Sequence, residues 1–273
     1  MEEMTVIWEK IARATEAYHR GPGQAVNIAE LNEVAITNHS TRIEGSTLTA
    51  NEAVVLIQSG VPASGKPIEH NNMVLDHHEA LQVVLQEARL KRTLTVEFLQ
   101  TIAGLVMRRT GKTVRFALGD TDESKGDFRR VAVTAGNRFF VAHDKVPGMI
   151  AGLVKRLNRQ IDAVQDFPAI HQLAFIAHFD LVSIHPLTDG NGRTARLLMN
   201  FIQAYHHQPL TVIRSEYKAQ YFEALEQSRE RQRTDPIIAF MANQHLAWLQ
   251  ELNTSFENSQ RVEGKGSGLS MFF

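Results

Sequence analysis

No cysteine occurs anywhere in the 273 residues. Its absence excludes disulfide cross-links, thiolate nucleophiles and cysteine-bound zinc. Nor is one sign of charge in excess. Lysine and arginine number 29 against 30 aspartates and glutamates, so no global field would gather nucleic acid, and any polyanion must be bound by a local cluster. Long hydrophobic runs are missing as well: the most apolar stretch, 173–184, is interrupted by His178 and Asp180. Met1 is followed by Glu2 and Glu3, where a secretory leader would carry positive charge. A soluble, cytoplasmic protein without membrane or nucleic-acid partners is expected. The 12 histidines form no His-Glu-x-x-His or comparable spacing, so His70, His77, His78 and the pair His206-His207 read as surface or capping residues.

What is present is mostly helical patterning. The length suits one core domain with an N-terminal extension. Helices are expected over 4–19, 24–43, 50–58 (opened by the capping box Thr49-Ala-Asn-Glu52), 71–90, 95–109, 147–164 and 168–184, then after Asn191, after Ser215, and from Asp235-Pro236 to about Leu252. Lys91-Arg92 and Arg108-Arg109 fall near helix C-termini, where cations suit the dipole. The region 110–145 differs. Phe128 to Thr134 and Arg138 to Ala142 are β-branched and aromatic around Ala135-Gly136-Asn137, which reads as one hairpin packed on the helices. The fold class expected is therefore all-α, a helical bundle with one β-hairpin. Three divisions follow: an N-terminal helical region 1–94, a core domain 95–257, and a flexible tail 258–273 containing Gly264-Lys-Gly-Ser-Gly268.

The chemistry is concentrated in Ser183-Ile-His-Pro-Leu-Thr-Asp-Gly-Asn-Gly-Arg-Thr-Ala-Arg196. Apolar residues at helical spacing lie on both sides, so the stretch joins two helices. Pro186 pushes His185 out of the helical region, and Gly190 and Gly192 permit positive φ, so a helix should begin around Asn191 to Arg193. A Gly-Asn-Gly turn entering a helix presents free N–H groups and the positive end of the dipole, which is an anion site. Arg193 and Arg196 beside that end are misplaced by roughly 0.3–1 kcal/mol each unless an anion sits there, which points to a polyphosphate. Asp189 is a hard oxygen ligand suited to Mg²⁺ shared with phosphates. His185 is the nearby group able to accept a proton near neutral pH.

Upstream, Glu44 falls in the last turn of the helix that Gly45 ends, opposing the dipole there. Ser40 lies one turn earlier on the same face. Pairing Glu44 with Arg196 would relieve both misplaced charges.

These residues resemble the Fic family signature, His-x-Phe-x-Asp/Glu-Gly-Asn-Gly-Arg-x-x-Arg, with His185, Asp189, Gly190, Asn191, Gly192, Arg193 and Arg196 in place and Leu187 where the family has Phe. Ser40-x-x-x-Glu44-Gly45 is similar to the inhibitory Ser/Thr-x-x-x-Glu-Gly/Asn motif that many Fic proteins carry, here on the helix within 24–45. The resemblance spans about 28–245. It implies a Fic-like bundle and a protein adenylyltransferase moving AMP from ATP, with Mg²⁺, to a Ser, Thr or Tyr hydroxyl of a target protein, autoinhibited by Glu44. In that reading His185 is the base, Gly190, Asn191, Gly192, Arg193 and Arg196 hold the nucleotide, and Asp189 holds the metal. The hairpin around Thr134, Ala135 and Gly136 is the flap that positions the target. Tyr221 and Phe222 resemble the pair beside the adenine, although core packing accounts for them equally well. Family members also transfer other phosphate-containing groups or remove AMP, and a homodimer fits the same pattern. A nucleotide-dependent binding module is the non-enzyme alternative.

Overall fold

The computed structural model describes residues 2–263 except 118, 136 and 137. Among these, ten α-helices follow in order: α1 (Glu2–Arg20), α2 (Val26–Ile43), α3 (Ala50–Ser59), α4 (Ile68–Arg89), α5 (Val96–Val106), α6 (Val146–Ile161), α7 (Phe167–Ile184), α8 (Asn191–Tyr205), α9 (Lys218–Glu230) and α10 (Asp235–Glu263). Between α5 and α6 lie four two-residue strands, β1 (Thr113–Val114) pairing with β2 (Thr121–Asp122), and β3 (Thr134–Ala135) pairing with β4 (Arg138–Phe139), both antiparallel.

Side-chain caps set three of the helix starts. Thr49 and Glu52 close the expected reciprocal box, Thr95 accepts from the Phe98 amide at 3.0 Å, and Asp166 accepts from the Ala169 amide at 3.2 Å, each satisfying a donor that helix geometry orphans. At the heart of the bundle α7 packs on α8, with α4, α5 and α6 around them and α10 crossing α7. By length and composition α7 is apolar enough to cross a membrane. Its apolar residues are consumed instead by the core, where Leu173, Ala174, Phe175, Ala177 and Leu181 are buried.

Some expectations need correction. α4 begins at Ile68 rather than Asn71, and α5 stops at Val106 rather than Arg109. Arg109 turns out of α5 because Asp76, fully buried on α4, accepts its backbone N–H at 2.8 Å and its guanidinium at 2.7 Å. α10 was expected to end near Leu252 with a flexible tail from Asn258, yet the helix continues to Glu263. The cause is tertiary: α1 lies along it, and Asn253 donates to the Ala14 carbonyl at 2.9 Å. Residues 264–273 lie outside the described residues. The hairpin is also shorter than expected, because Phe128 to Val133 is not strand, and β1–β2 adds a second pairing the patterning did not show.

Candidate active site

The turn between α7 and α8 is built from its own side chains. His185 ends α7 in the left-handed region (φ 54°, ψ 61°), its N–H still bonded to the Leu181 carbonyl. A non-glycine residue held there is strained, and the cost is tolerated where surrounding contacts fix it. Gly190 has φ +82° and forms the N-cap of α8. Asn191 accepts from the Leu187 amide and donates to the Leu187 carbonyl, both at 2.9 Å, closing the loop across four residues. Leu187 itself is buried, so the departure from the family's Phe alters packing on the core side.

Three of the expected site residues are used differently from the reading of the sequence. Gly192 does not take positive φ. A Cβ there would displace the Glu44 carboxylate from its present place. Asn191 spends both ends of its amide on Leu187, so only its backbone N–H can meet an anion. Arg193 and Arg196 diverge. Arg193 runs under the loop, donating to the Val106 carbonyl at 3.3 Å and to Met107 Sδ at 3.1 Å, with Asp189 at 3.4 Å. It therefore answers the C-terminal end of α5, where a cation is favoured, and does not line the cavity. Asp189 is 64% exposed at its side chain, and Oδ1 accepts from the Gly190 amide.

Arg196 points the other way. Almost fully buried, it donates from Nε to Ser40 Oγ at 2.8 Å, from Nη2 to the Ser40 carbonyl at 3.0 Å, and from Nη2 to Glu44 Oε1 at 2.6 Å. Its Nη1 is buried without a partner. Glu44 is thus paired as the dipoles suggested, and its carboxylate rests against Gly192 in the first turn of α8. That turn is where backbone N–H groups lack helical acceptors. The carboxylate lies beside the place where an external anion would sit.

A cavity of about 630 Å³ opens here, lined by Glu44, Gly192, Arg196, His185, Tyr221 and Phe222 among others. Tyr221 is buried, its hydroxyl 2.8 Å from His178 Nε2, while Phe222 is half exposed at the mouth. His185 stacks on Phe140, ring centroids 4.0 Å apart and nearly parallel. Burial, which disfavours the charged form, lowers its pKa to about 4; the Val182 carbonyl opposes this, and Arg129, Arg229 and Arg138 add to it. The ring is therefore neutral at pH 7, as a proton acceptor must be.

Reading the sequence missed the cavity's second wall. Arg138 lies over the Phe140 ring at 4.6 Å, and Glu226 on α9 faces both Arg138 (3.9 Å) and Arg229 (3.3 Å), tying the hairpin to α9. Alternation along a strand puts 138 and 140 on one face and leaves Phe139 outward, 82% exposed, so the signal was available in the hairpin's period of two. Of the expected flap residues, Thr134 and Ala135 form β3 and Gly136 lies outside the described residues.

The Fic/DOC family model matches residues 93–203. Over 208 residues the chain is 29% identical to Protein adenylyltransferase Fic of Drosophila grimshawi and 28% identical to that of Drosophila melanogaster. The match covers 75% of this chain but only 40% and 39% of the relatives, so the chain spans well under half the length of the curated relatives it matches. In fold, it superposes on a Fic domain containing signaling protein from Bacteroides thetaiotaomicron with a TM-score of 0.77 at 20% identity, covering 91% of this chain and 97% of that one. Fic-1 from C. elegans superposes with a TM-score of 0.71 at 21% identity, over 93% and 72% of the two chains. Residues 93–203, which carry the His185 turn and the start of α8, are a domain of the Fic/DOC family.

Proposed function

We propose that this chain transfers AMP from ATP to the hydroxyl of a serine, threonine or tyrosine side chain on a target protein, and that Glu44 restrains the transfer. One observation carries the reading. A single cavity joins a neutral, half-buried histidine, the amide end of α8 and a buried arginine with a free donor, and the chain's own carboxylate lies on that arginine beside Gly192. The relatives named protein adenylyltransferases support the same reaction.

The hydroxyl oxygen attacks the α-phosphorus of ATP, the bond from that phosphorus to the bridging oxygen of the β-phosphate breaks, and pyrophosphate leaves. His185 takes the hydroxyl proton as attack begins. The amides of Asn191 and Gly192 and the guanidinium of Arg196 stabilise the charge on the phosphates, which is the positioning and electrostatic work that phosphoryl chemistry needs. Asp189 suits a Mg²⁺ that arrives with the nucleotide: its carboxylate is largely exposed, and among the described residues no cluster of three His, Asp or Glu could cage a metal unaided. When bound, the ion would neutralise phosphate charge. The target segment adds to the hairpin edge by main-chain pairing, which places a hydroxyl with little demand on target sequence. The cytoplasm is the proposed setting.

Glu44 opposes all of this by competition, since it holds Arg196 and lies beside Gly192 at the start of α8. The test is incubation with ATP labelled at the α- or the γ-phosphate. Covalent label on protein from the α-position alone is expected; label from the γ-position would mean phosphorylation and overturn the reading. Release of AMP from a pre-modified protein, without forward transfer, would show that Glu44 directs water and not restraint.

A further inference from the structure

Arg129 lies between α5 and the hairpin, 2% exposed, and none of the ion pairs among the described residues includes it. Its guanidinium ends on three backbone carbonyls: Nε on His185 at 2.7 Å, Nη1 on Val131 at 2.8 Å and Nη2 on Val141 at 2.5 Å. Its own backbone N–H donates to the Pro186 carbonyl at 2.9 Å. Burying a cation without a carboxylate is costly, and burial indeed lowers its pKa. Such an arrangement demands a reason beyond packing.

We propose that Arg129 is a positioning residue that fixes the flap over His185 by holding the His185 carbonyl and both limbs of the hairpin with one guanidinium. This rests on the transfer reading above. Among the described residues the β3–β4 ladder has two residue pairs, too few to set its own placement. Val131 precedes β3 and Val141 follows β4, so the contacts on their carbonyls clamp the root of the hairpin from both sides. The third contact falls on the residue with strained φ whose ring is to act as base. Phe140, one residue before Val141, then stacks on that ring. A planar fork with donors in fixed directions can span three acceptors; the point charge of lysine cannot.

The groups facing the His185 ring are Phe140 and Arg138 from the hairpin, Arg229 with its partner Glu226 from α9, the Val182 carbonyl from α7, and Arg129. Arg129→Gln removes one cation, so the ring should titrate at higher pH; Arg129→Lys keeps the charge and should leave that midpoint low.

The test uses the purified full chain with both substitutions and three readouts: transfer rate, affinity for a non-hydrolysable ATP analogue, and the His185 midpoint by NMR. Misplacing a reacting group by about 1 Å can cost about 10²-fold, so kcat should fall at least about tenfold in both variants while nucleotide affinity stays within about threefold. The midpoint should rise in Arg129→Gln only. A kcat within about twofold of the parent in either variant would overturn the proposal. So would a parallel loss of activity, nucleotide binding and Tm with an unmoved midpoint, since that is general destabilisation. If Arg129→Gln does not fold, Arg129→Lys carries the rate and affinity arms. If neither the parent nor its Glu44→Gly form transfers AMP, the transfer reading fails, while the midpoints still test whether Arg129 acts on His185.

Discussion

The His185 turn and the β3–β4 hairpin face each other across one cavity and are built on opposite terms. The turn is saturated with internal contacts: Asn191 bonds Leu187 twice, Thr194 donates to the Gly190 carbonyl, Arg193 is buried beneath it and Arg196 is held from two sides on α2. The hairpin has two residue pairs, a large exposed aromatic at Phe139 and one buried arginine at its root. Groups that act on a fixed small molecule need positions fixed to fractions of an ångström. A surface that receives protein segments works with main-chain edges and few constraints. The fold places rigidity on one wall and leaves the other sparse.

Substitutions on the two walls should therefore differ in kind. The largest effect is expected on the rigid side, where His185→Ala should cut transfer by about 10²–10⁴-fold while ATP binding persists. Transfer within a few-fold of the parent, measured with labelled ATP, would remove the base assignment. Because burial holds the ring at about 4, the neutral form dominates above that value, so kcat/KM should show no falling acid limb from His185 until pH nears 4. A limb near the ordinary histidine value would place a protonated ring in the resting protein.

Glu44→Gly frees Arg196 and the start of α8, and should raise modification by a factor on the order of 10 or more if the blocked state is favoured by about 1.4 kcal/mol. Adding Arg196→Ala should abolish that gain. Unchanged modification with an intact circular dichroism spectrum would make the contact merely structural.

Asn191→Ala leaves the Leu187 amide and carbonyl without their partners in a buried loop, and should cost about 1–3 kcal/mol in denaturant unfolding. A change below about 0.5 kcal/mol would show that the turn holds its shape without this clamp. Phe139→Ala on the sparse side should leave stability within about 0.5 kcal/mol, since the ring is 82% exposed, and act instead by raising KM for the target protein. A cooperative loss of stability there would mean that the hairpin is as integrated as the turn.

Within the sequence, the chemistry of the turn was legible because its signals are local. Proline, glycine and cap residues dictate backbone conformation within a few positions, and the start of α8 at Asn191 followed from them. That Glu44 needs a cation was legible for a related reason, since it opposes the helix end that carries it; that the cation is Arg196 came from the family resemblance. The end of α10 was not legible, because residues 253–263 are helical through their contact with α1, some 240 positions away in the chain.

The two arginines of α8 show where the division falls. Sequence alone determined that both would lie near a helix N-terminus and that such charges need partners. Which partner each one takes was decided by the tertiary structure: Arg193 finds the end of α5, 87 residues earlier, and Arg196 finds Ser40 and Glu44, 156 and 152 residues earlier. A long side chain three residues from its twin can reach a different neighbour, and the neighbours are set by how helices pack, which no local rule encodes. Arg129 is the extreme case. Nothing around it in the sequence distinguishes it from Arg130, and only the folded chain brings the carbonyls of His185, Val131 and Val141 within reach of one guanidinium.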